Sequence, residues 1–291
     1  IMSKNVLVTG GSGFIGSHVV DFLVKKKYNV TTFDLSPPIR KNVKFIRGNI
    51  LDKNCLQFAL KNIDFVFHLA AVSDINKVRA IPVKTINTNI LGTTYLLEAS
   101  RNKNVKRFIF ASSVYSFGTT GNLYTTSKIS SELLIKNYRL LFGQNFTILR
   151  YSTAYGPRSR EVDAVSIFVE RALKNLDIVI FGDGQQKRNY LHVEDLAKGS
   201  MMALKQKTKN KIITLASKNN IKMFDLAKII IRLTRSSSKI RFNKKNKRFD
   251  DFTSNYSYKN NNESIINWKP KYSLKKGLEQ YIWFKRKLLR I

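Results

Sequence analysis

The sequence has few of the residues that cross-link a chain or hold a metal ion. It contains one cysteine, Cys55, and three histidines among 291 residues. A single cysteine excludes an intrachain disulfide, and the scattered histidines form no Cys/His cluster. The sequence therefore predicts no metal site.

Long apolar runs are also missing. No run approaches the roughly 18 residues that a membrane span needs. The apolar stretch near the N-terminus is interrupted by Gly10, Gly11, Gly13 and Gly16, a pattern that is not typical of a signal peptide. We therefore expect a soluble cytoplasmic protein that does not associate with membranes.

Acidic residues are scarce. Nineteen Asp and Glu oppose 52 Lys and Arg, which gives a formal net charge of +33. Such an excess attracts polyanions whatever the task of the protein. The densest basic segment, Arg235 to Arg248, contains seven basic residues but only one aromatic residue, Phe242. A base-stacking platform is thus poorly supported, and we favour lysine-rich solvated faces over a dedicated nucleic-acid surface.

What the chain does contain is enough apolar material for a sizeable core, at 43% hydrophobic and 11% aromatic residues. Its first half alternates short β-branched runs with longer helical patterns, which predicts a parallel sheet covered on both faces. The predicted strands are 5–9, 29–33, 43–47, 64–69, 105–112 and 146–150, and the predicted helices are 14–27, 55–61, 86–101 and 124–142.

The pattern changes after Gly156. Helices are predicted at 161–175, 193–205, 223–232 and from Leu274, with strands at 178–181 and 211–215. This smaller α/β region has no glycine motif of its own. We therefore divide the chain into a dinucleotide-binding domain, residues 1–156, and a substrate domain, residues 157–291, which we expect to be partly interleaved.

The strongest local motif is Thr-Gly-Gly-Ser-Gly-Phe-Ile-Gly at residues 9–16, between a predicted strand and a predicted helix. Its glycines allow a tight turn and a close approach to a pyrophosphate, and the helix start offers free N–H groups. Asp34 ends the next strand, where a carboxylate binds the ribose hydroxyls and repels a 2′-phosphate. This favours NAD over NADP, although Arg40 and Lys41 lie nearby.

A second constellation is Tyr124-Thr-Thr-Ser-Lys128. A spacing of four puts the phenol and the ammonium on one helix face, where the cation can help to ionise the phenol. The tripeptide Ala111-Ser112-Ser113 ends the preceding strand, so the Ser113 hydroxyl is expected at the carboxyl edge of the sheet. Together, these residues indicate a proton-transfer site beside the dinucleotide.

With these motifs, the chain resembles the extended short-chain dehydrogenase/reductase family, which comprises NAD-dependent epimerases and dehydratases of nucleotide sugars. The resemblance runs from Val6 to about Gly277 and includes, besides the motifs above, residues 48–52, 68–71, 89–93, 111–118, 150–157, 181–197 and 268–274. It implies a Rossmann-type doubly wound parallel sheet, with a smaller C-terminal α/β domain that binds the substrate.

The resemblance also implies roles for individual residues. Ser113, Tyr124 and Lys128 match the catalytic triad of the family. Thr153, Arg188 and Arg248 match substrate positions, the two arginines holding the diphosphate. The residues expected to bind NAD are Gly10, Gly13, Phe14, Ile15, Gly16, Asp34, Asn49, Ile50, Leu69, Ala70, Ala71, Asn89, Tyr124 and Lys128.

The residues after Ser113 bear on the choice of reaction. The 4,6-dehydratases carry an acidic pair there, whereas this chain has Val114 and Tyr115, which resembles UDP-glucose 4-epimerases. Sugar recognition departs from the family pattern at Thr153, at Asn189 and in the short segment between Gly118 and Tyr124. The favoured prediction is a 4-epimerase that uses a transient 4-keto sugar. The alternatives are a 4-ketoreductase or another family oxidoreductase, and an RNA-binding protein without turnover.

The resemblance further implies a homodimer that is formed through the predicted helices 86–101 and 124–142.

Overall fold

The computed structural model describes residues 4–118, 122–218, 220–243 and 266–291. Up to residue 156, strands alternate with helices. The strands are β1 (Asn5–Thr9), β2 (Asn29–Asp34), β3 (Lys44–Arg47), β4 (Phe65–His68), β5 (Arg107–Ser113), β6 (Phe146–Tyr151) and β7 (Thr153–Tyr155). The helices are α1 (Phe14–Lys25), α2 (Lys53–Ala59), α3 (Ile75–Ala80), α4 (Pro82–Ile86), α5 (Gly92–Asn102) and α6 (Leu123–Phe142). A π-helical turn (Asn87–Leu91) precedes α5, and a 3₁₀ turn (Val114–Phe117) follows β5.

The remaining described elements are shorter on average. The strands are β8 (Ile178–Phe181), β9 (Lys187–Arg188), β10 (Tyr190–His192), β11 (Lys211–Leu215), β12 (Ile221–Lys222) and β13 (Ile240–Asn243). The helices are α7 (Ala164–Leu173), α8 (Val193–Ser200), α9 (Met223–Thr234) and α10 (Leu274–Leu289).

A seven-stranded parallel sheet forms the centre of the fold, in the order β11-β6-β5-β4-β1-β2-β3. The chain winds outward from β1 to β3, crosses to β4, and then winds in the opposite direction. This confirms the predicted doubly wound α/β fold. The order reverses between β1 and β4, so their carboxyl ends border the crevice where such folds bind ligands.

The strands of the sheet are apolar on both faces because each face has its own core. Val6 and Val8 of β1 belong to one buried cluster, with Val19 and Leu23 of α1. Leu7, which points to the opposite face, belongs to a second cluster. That cluster includes residues of α2, α5 and α6, among them Leu56, Leu96 and Ile135. Burial on both faces explains the near-continuous apolar runs of the central strands.

A third buried cluster lies in the C-terminal half and joins α7, α9 and α10. Phe168, Leu226, Ile230 and Tyr281 are at most 4% exposed. Three two-stranded sheets complete this region, pairing β7 with β10, β8 with β13, and β9 with β12. Pairing with β7 places β10 beside the segment that directly follows β6.

Two sequence predictions differ from the structure. Residues Lys211–Leu215, which we assigned to the second region, pair in parallel with β6 and complete the central sheet. Their apolar pattern predicts a buried strand but does not identify its partner. The helix expected from residue 161 begins at Ala164, because the Asp163 carboxylate binds the backbone N–H and the guanidinium of Arg160 and holds the preceding residues in a loop.

Helices α3 and α4 and the short strands β7, β9, β10, β12 and β13 were not predicted. Asp74 accepts hydrogen bonds from the N–H groups of Asn76 and Lys77 and so caps the short helix α3. Strand β13 lies within the basic segment, where polar residues leave no apolar run that would predict a strand. In the part of the chain that the structure describes, no helix is both long and apolar enough to cross a membrane.

Candidate active site

The glycine turn between β1 and α1 is closed by backbone contacts that leave no room for side chains. Gly10 has φ +71°, and a Cβ at this position would lie 2.6 Å from the Ala70 nitrogen. A Cβ at Gly16 would lie 2.0 Å from the Gly10 carbonyl oxygen. Gly13 precedes α1, and no side chain caps the helix. The free N–H groups around Phe14 and Ile15 therefore suit a pyrophosphate.

Asp34 lies beside this turn at the end of β2. Its Oδ2 accepts a hydrogen bond from the Ser12 backbone at 3.0 Å, and its Oδ1 accepts one from the Ser36 backbone at 3.3 Å. Both bonds orient the carboxylate that we expect to bind the adenosine ribose. Arg40, the candidate partner for a 2′-phosphate, is paired with Asp21 at 3.2 Å. That pairing is consistent with a preference for NAD.

Other expected cofactor positions border the same crevice. Leu69 and Ala70 follow β4 and are hydrogen-bonded to Thr9, the last residue of β1. Ala71 comes next in the same segment. Asn49 is exposed, whereas Ile50 is only 5% exposed and packs against Gly92. Contact of these residues with NAD stays a prediction.

Asn89 is buried in the π-helical turn, and its amide joins three segments. Its Oδ1 accepts from the Val72 backbone at 2.8 Å, and its Nδ2 donates to the Val72 carbonyl and to Ser127 Oγ. The amide thereby ties the segment after β4 to α6. In the structure, Asn89 supports the wall of the crevice through protein contacts.

Lys128 of α6 lies against the Tyr124 ring and is bonded to the backbone of β5, the strand that ends at Ser113. Asn122 caps α6 by accepting a hydrogen bond from the Thr125 backbone, so the helix starts directly before Tyr124. The Lys128 ammonium donates a 2.7 Å hydrogen bond to the Ala111 carbonyl and lies 5.6 Å from the centre of the Tyr124 ring. Ser113 is 6% exposed, and its hydroxyl accepts from the Tyr115 backbone at 3.2 Å.

The surroundings shift the ionisation of both titratable groups of the triad. Burial raises the pKa of Tyr124, Tyr115 raises it further, and Arg160 opposes the shift. Burial lowers the pKa of Lys128 to about 7, against the influence of Glu132. A further positive charge beside the Tyr124 phenol would favour its ionised form, and the oxidised nicotinamide ring carries such a charge.

Arg160, which was not among the residues predicted from sequence, lies close enough to Tyr124 for its charge to affect the phenol. Its guanidinium binds Asp163 and donates to Ser73 Oγ at 3.2 Å, and its charge acts on Tyr124. It lies in the loop between β7 and α7, shortly after Tyr155-Gly156-Pro157. A periodic pattern cannot reveal a loop residue, so the only signal was its nearness to that motif.

Two of the expected substrate residues, Thr153 and Arg188, lie in the small sheets. Thr153 begins β7, and its N–H donates to the Asn189 carbonyl at 3.0 Å. Arg188 is half-buried in β9, opposite Ile221. Asn189, which departs from the family pattern, directs its amide to Ser217 and Asn220. Arg248 lies outside the described residues, so the proposed pairing of the two arginines stays a prediction.

The buried His68 has both ring nitrogens hydrogen-bonded to threonine hydroxyls. His68 is hydrogen-bonded through Nδ1 to Thr9 Oγ1 and through Nε2 to Thr93 Oγ1. Burial and, to a smaller extent, the charge of Lys128 lower its pKa to about 3. His68 is therefore a neutral link between β1, β4 and α5. Among the described residues, no group of three or more His, Cys, Asp or Glu is placed to hold a metal ion.

A doubly wound sheet, a glycine turn fitted to a dinucleotide, and Ser113, Tyr124 and Lys128 near the carboxyl end of β5 are the features of a short-chain dehydrogenase/reductase type of enzyme. The model of the NAD dependent epimerase/dehydratase family matches residues 6–216. This chain belongs to that family. NAD is accordingly its cofactor.

Individual relatives cover nearly the whole chain. A protein provisionally named UDP-glucose 4-epimerase in Methanocaldococcus jannaschii is 33% identical over 96% of this chain and 98% of its own length. A UDP-N-acetyl-alpha-D-glucosaminuronate decarboxylase of Bacillus cytotoxicus is 35% identical over 82% of this chain and 83% of its own length. The crystal structure of the Thermotoga maritima UDP-glucose 4-epimerase with UDP-glucose superposes with a TM-score of 0.91, at 30% identity over 98% of this chain and 100% of that one.

Proposed function

We propose that this protein is an NAD-dependent nucleotide-sugar 4-epimerase that works through a transient 4-keto sugar. The observation that carries the proposal is the position of Lys128, which is bonded to the end of β5 and lies against the Tyr124 ring at the carboxyl edge of the sheet. This edge also carries the glycine turn that fits the dinucleotide. Relatives that act on UDP-sugars at C4 support the choice of substrate.

Tyr124, Ser113 and Lys128 each have a separate role in the proposed reaction. Tyr124 takes the proton from the C4 hydroxyl and later returns it to the oxygen. Ser113 hydrogen-bonds the reacting oxygen, and Lys128 supplies the positive charge that favours the phenolate. NAD, when bound, would supply a reversible acceptor for the C4 hydride, so the reaction would involve no net oxidation of the sugar.

The turn after Ser113 favours epimerisation over dehydration. Val114 and Tyr115 stand where elimination of water would need an acid and a base. The nearby carboxylate of Glu132 is engaged by Arg150 at 2.7 Å and by Ser112 at 2.5 Å. A carboxylate held in this way is not placed to serve as the missing acid.

The test is a turnover assay with purified protein and NAD on a panel of nucleotide sugars, neutral and uronic, analysed by NMR for the C4 epimer. We expect an epimer with the same mass as the substrate and no net NADH. Stoichiometric NADH consumption would instead indicate a ketoreductase, and loss of carbon dioxide a decarboxylase. Salt-dependent RNA affinity without turnover on any sugar would favour the RNA-binding alternative.

We also propose that the protein is cytoplasmic and that it forms a homodimer. In the dimer, two copies associate through α5 and α6. Leu133, Leu140 and Leu141 form an exposed apolar stripe on α6, with exposed fractions of 54%, 80% and 72%. Such a stripe is typical of a protein interface. Light scattering should give the mass of a dimer, and Leu140→Glu should shift it towards the monomer.

A further inference from the structure

A buried ion pair lies next to the strand end that carries Ser113. Glu132 of α6 accepts hydrogen bonds from Arg150 of β6, with Nε at 2.9 Å and Nη2 at 2.7 Å. The Glu132 side chain is 4% exposed and that of Arg150 is 15% exposed. A buried pair of this kind is weak evidence for stability, because apolar residues of similar volume are often equally stable. Stability therefore does not explain why an ion pair occupies this position beside Ser113.

The pair holds the turn that follows Ser113 at both ends. Ser112, directly before Ser113, donates to Glu132 Oε1 at 2.5 Å and lies 3.1 Å from the Ser116 hydroxyl. At the other end of the turn, the Phe117 ring packs 4.4 Å from the Arg150 guanidinium carbon. Strand β5, the 3₁₀ turn and α6 are thus joined through one carboxylate and one guanidinium.

Glu132 also lies one helical turn from Lys128. A spacing of four residues puts both on the same face of α6. Lys128 is 4% exposed, and Glu132 favours its charged form. Among the described residues, the other groups whose charge or ring faces Lys128 are Phe110 of β5, with its ring centre 4.6 Å from the ammonium, Tyr124 of α6 and His68 of β4. Arg150 of β6 balances the charge of Glu132.

We propose that Glu132 and Arg150 are positioning residues, which fix Ser113 and Lys128 relative to each other by holding the turn after Ser113 against α6. The pair acts through these two residues and has no step of its own in the chemistry. The inference rests on the proposed function for its kinetic readout. A second readout, hydrogen exchange of the turn, does not depend on turnover.

The first variant is Glu132→Gln, which keeps the shape of the side chain and removes its charge. We expect kcat to fall by about 10- to 100-fold, since a misplacement of about 1 Å can cost 10²-fold, while KM changes little. The alkaline limb of the kcat–pH profile should move to lower pH, because Lys128 loses the carboxylate that favours its charged form. Amide exchange in residues 113–118 should become faster. Glu132→Asp should restore part of kcat.

The matched control is Glu170→Gln, which breaks the pair between Glu170 and the buried Lys285 at 3.5 Å, between α7 and α10. It should leave kcat, the pH profile and the exchange of residues 113–118 unchanged. Ser112→Ala removes the hydrogen bonds to Glu132 and to the Ser116 hydroxyl and keeps the ion pair, so it replaces Glu132→Gln if that variant does not fold. It should lower kcat by about 3- to 10-fold, the effect of the hydrogen bond that Glu132 loses.

Wild-type protein measured in parallel separates the two proposals. Absence of turnover in wild type would contradict the proposed function, and hydrogen exchange would still decide the role of Glu132. Wild-type kcat and wild-type exchange in Glu132→Gln, or in Ser112→Ala as its replacement, would overturn the inference. A loss of kcat with neither a shifted pH profile nor faster exchange would overturn it as well.

Discussion

The Lys128 ammonium donates its 2.7 Å hydrogen bond to the Ala111 carbonyl, two residues before Ser113 on the same strand. This bond holds the Lys128 amine 5.6 Å from the centre of the Tyr124 ring. The proposed reaction needs both this position and a positive charge on the amine. The bond requires burial of the amine, which makes the ionisation of Lys128 sensitive to its surroundings.

Replacement of Tyr124 by phenylalanine removes the proposed base and preserves the ring. We expect kcat to fall by at least about 10²- to 10⁴-fold, the usual contribution of general acid–base catalysis, with NAD affinity near that of wild type. Steady-state kinetics and calorimetric titration of NAD measure the two effects. Tyr138→Phe, on the same helix and bonded to Glu98, is the control and should keep full activity. Equal activity of Tyr124→Phe and wild type would contradict the assignment.

Lys128 should make the stability of the cofactor-free protein depend on alkaline pH. Its pKa is about 7 in the folded state and 10.5 in the reference state. Between these values the unfolded chain binds more protons, so the free energy of unfolding rises with pH by up to about 1.4 kcal/mol per unit. Denaturant unfolding between pH 7.5 and 9.5, an interval of about 2 units inside that window, measures the slope. Lys128→Met should abolish this contribution, and an unchanged slope would contradict the low pKa.

The motifs that could be predicted from sequence are those whose geometry depends only on residues that are close together in the sequence. The turn from Thr9 to Gly16 depends on neighbouring residues only, and the structure shows why Gly10 and Gly16 have no side chain. Tyr124 and Lys128 share a helix face by spacing alone. The same spacing connects Lys128 to Glu132, which was a signal for the buried pair that the sequence analysis did not use.

What could not be predicted depends on distant partners. Arg150 forms its ion pair with Glu132 only because β6 lies beside β5, where Arg150 is the register partner of Ser112. Lys211–Leu215 joins β6 across some 60 residues of intervening chain, and its apolar pattern is the same for any buried strand. Loop residues such as Arg160 have no periodicity at all. Contacts of this kind depend on tertiary packing, which cannot be predicted from the spacing of residues along the sequence.

Gly10 and Gly143 provide a matched pair of substitutions. Both have φ +71°, so alanine meets the same backbone strain at each. A Cβ at Gly10 would collide with the Ala70 backbone, whereas nothing lies within 4 Å of one at Gly143. Gly10→Ala should therefore abolish NAD binding, and Gly143→Ala should cost only about 1 kcal/mol of stability. Calorimetry and denaturant unfolding test both variants. NAD affinity that fell equally in the two would contradict this reasoning.

Asp34 should determine which dinucleotide is bound. A 2′-phosphate would face its carboxylate as a like charge, so we expect NAD to bind much more tightly than NADP. Asp34→Asn keeps the side-chain shape and removes the repulsion, so it should narrow the difference between the two affinities. Titration of both dinucleotides on both proteins measures this. If wild type bound NADP as tightly as NAD, the carboxylate could not lie at the ribose.

Arg188 tests whether the positive charge of the protein serves one substrate or polyanions in general. If it holds a diphosphate, Arg188→Ala loses charged hydrogen bonds worth about 1.5–3 kcal/mol, which corresponds to a rise of roughly 10- to 150-fold in the substrate constant. NAD affinity should not change. The resemblance predicts the same effect for Arg248→Ala.

Arg241→Ala is the control for that experiment. Arg241 lies in the same basic segment as Arg248, but its side chain is 63% exposed and paired with Asp177 at 2.9 Å. Exposed charges are screened within about 8 Å at physiological salt, so this variant should bind substrate like wild type. A uniform, salt-sensitive loss in Arg188→Ala, Arg241→Ala and Arg248→Ala would mean that the surface attracts any polyanion. That result would favour the RNA-binding alternative over a diphosphate clamp.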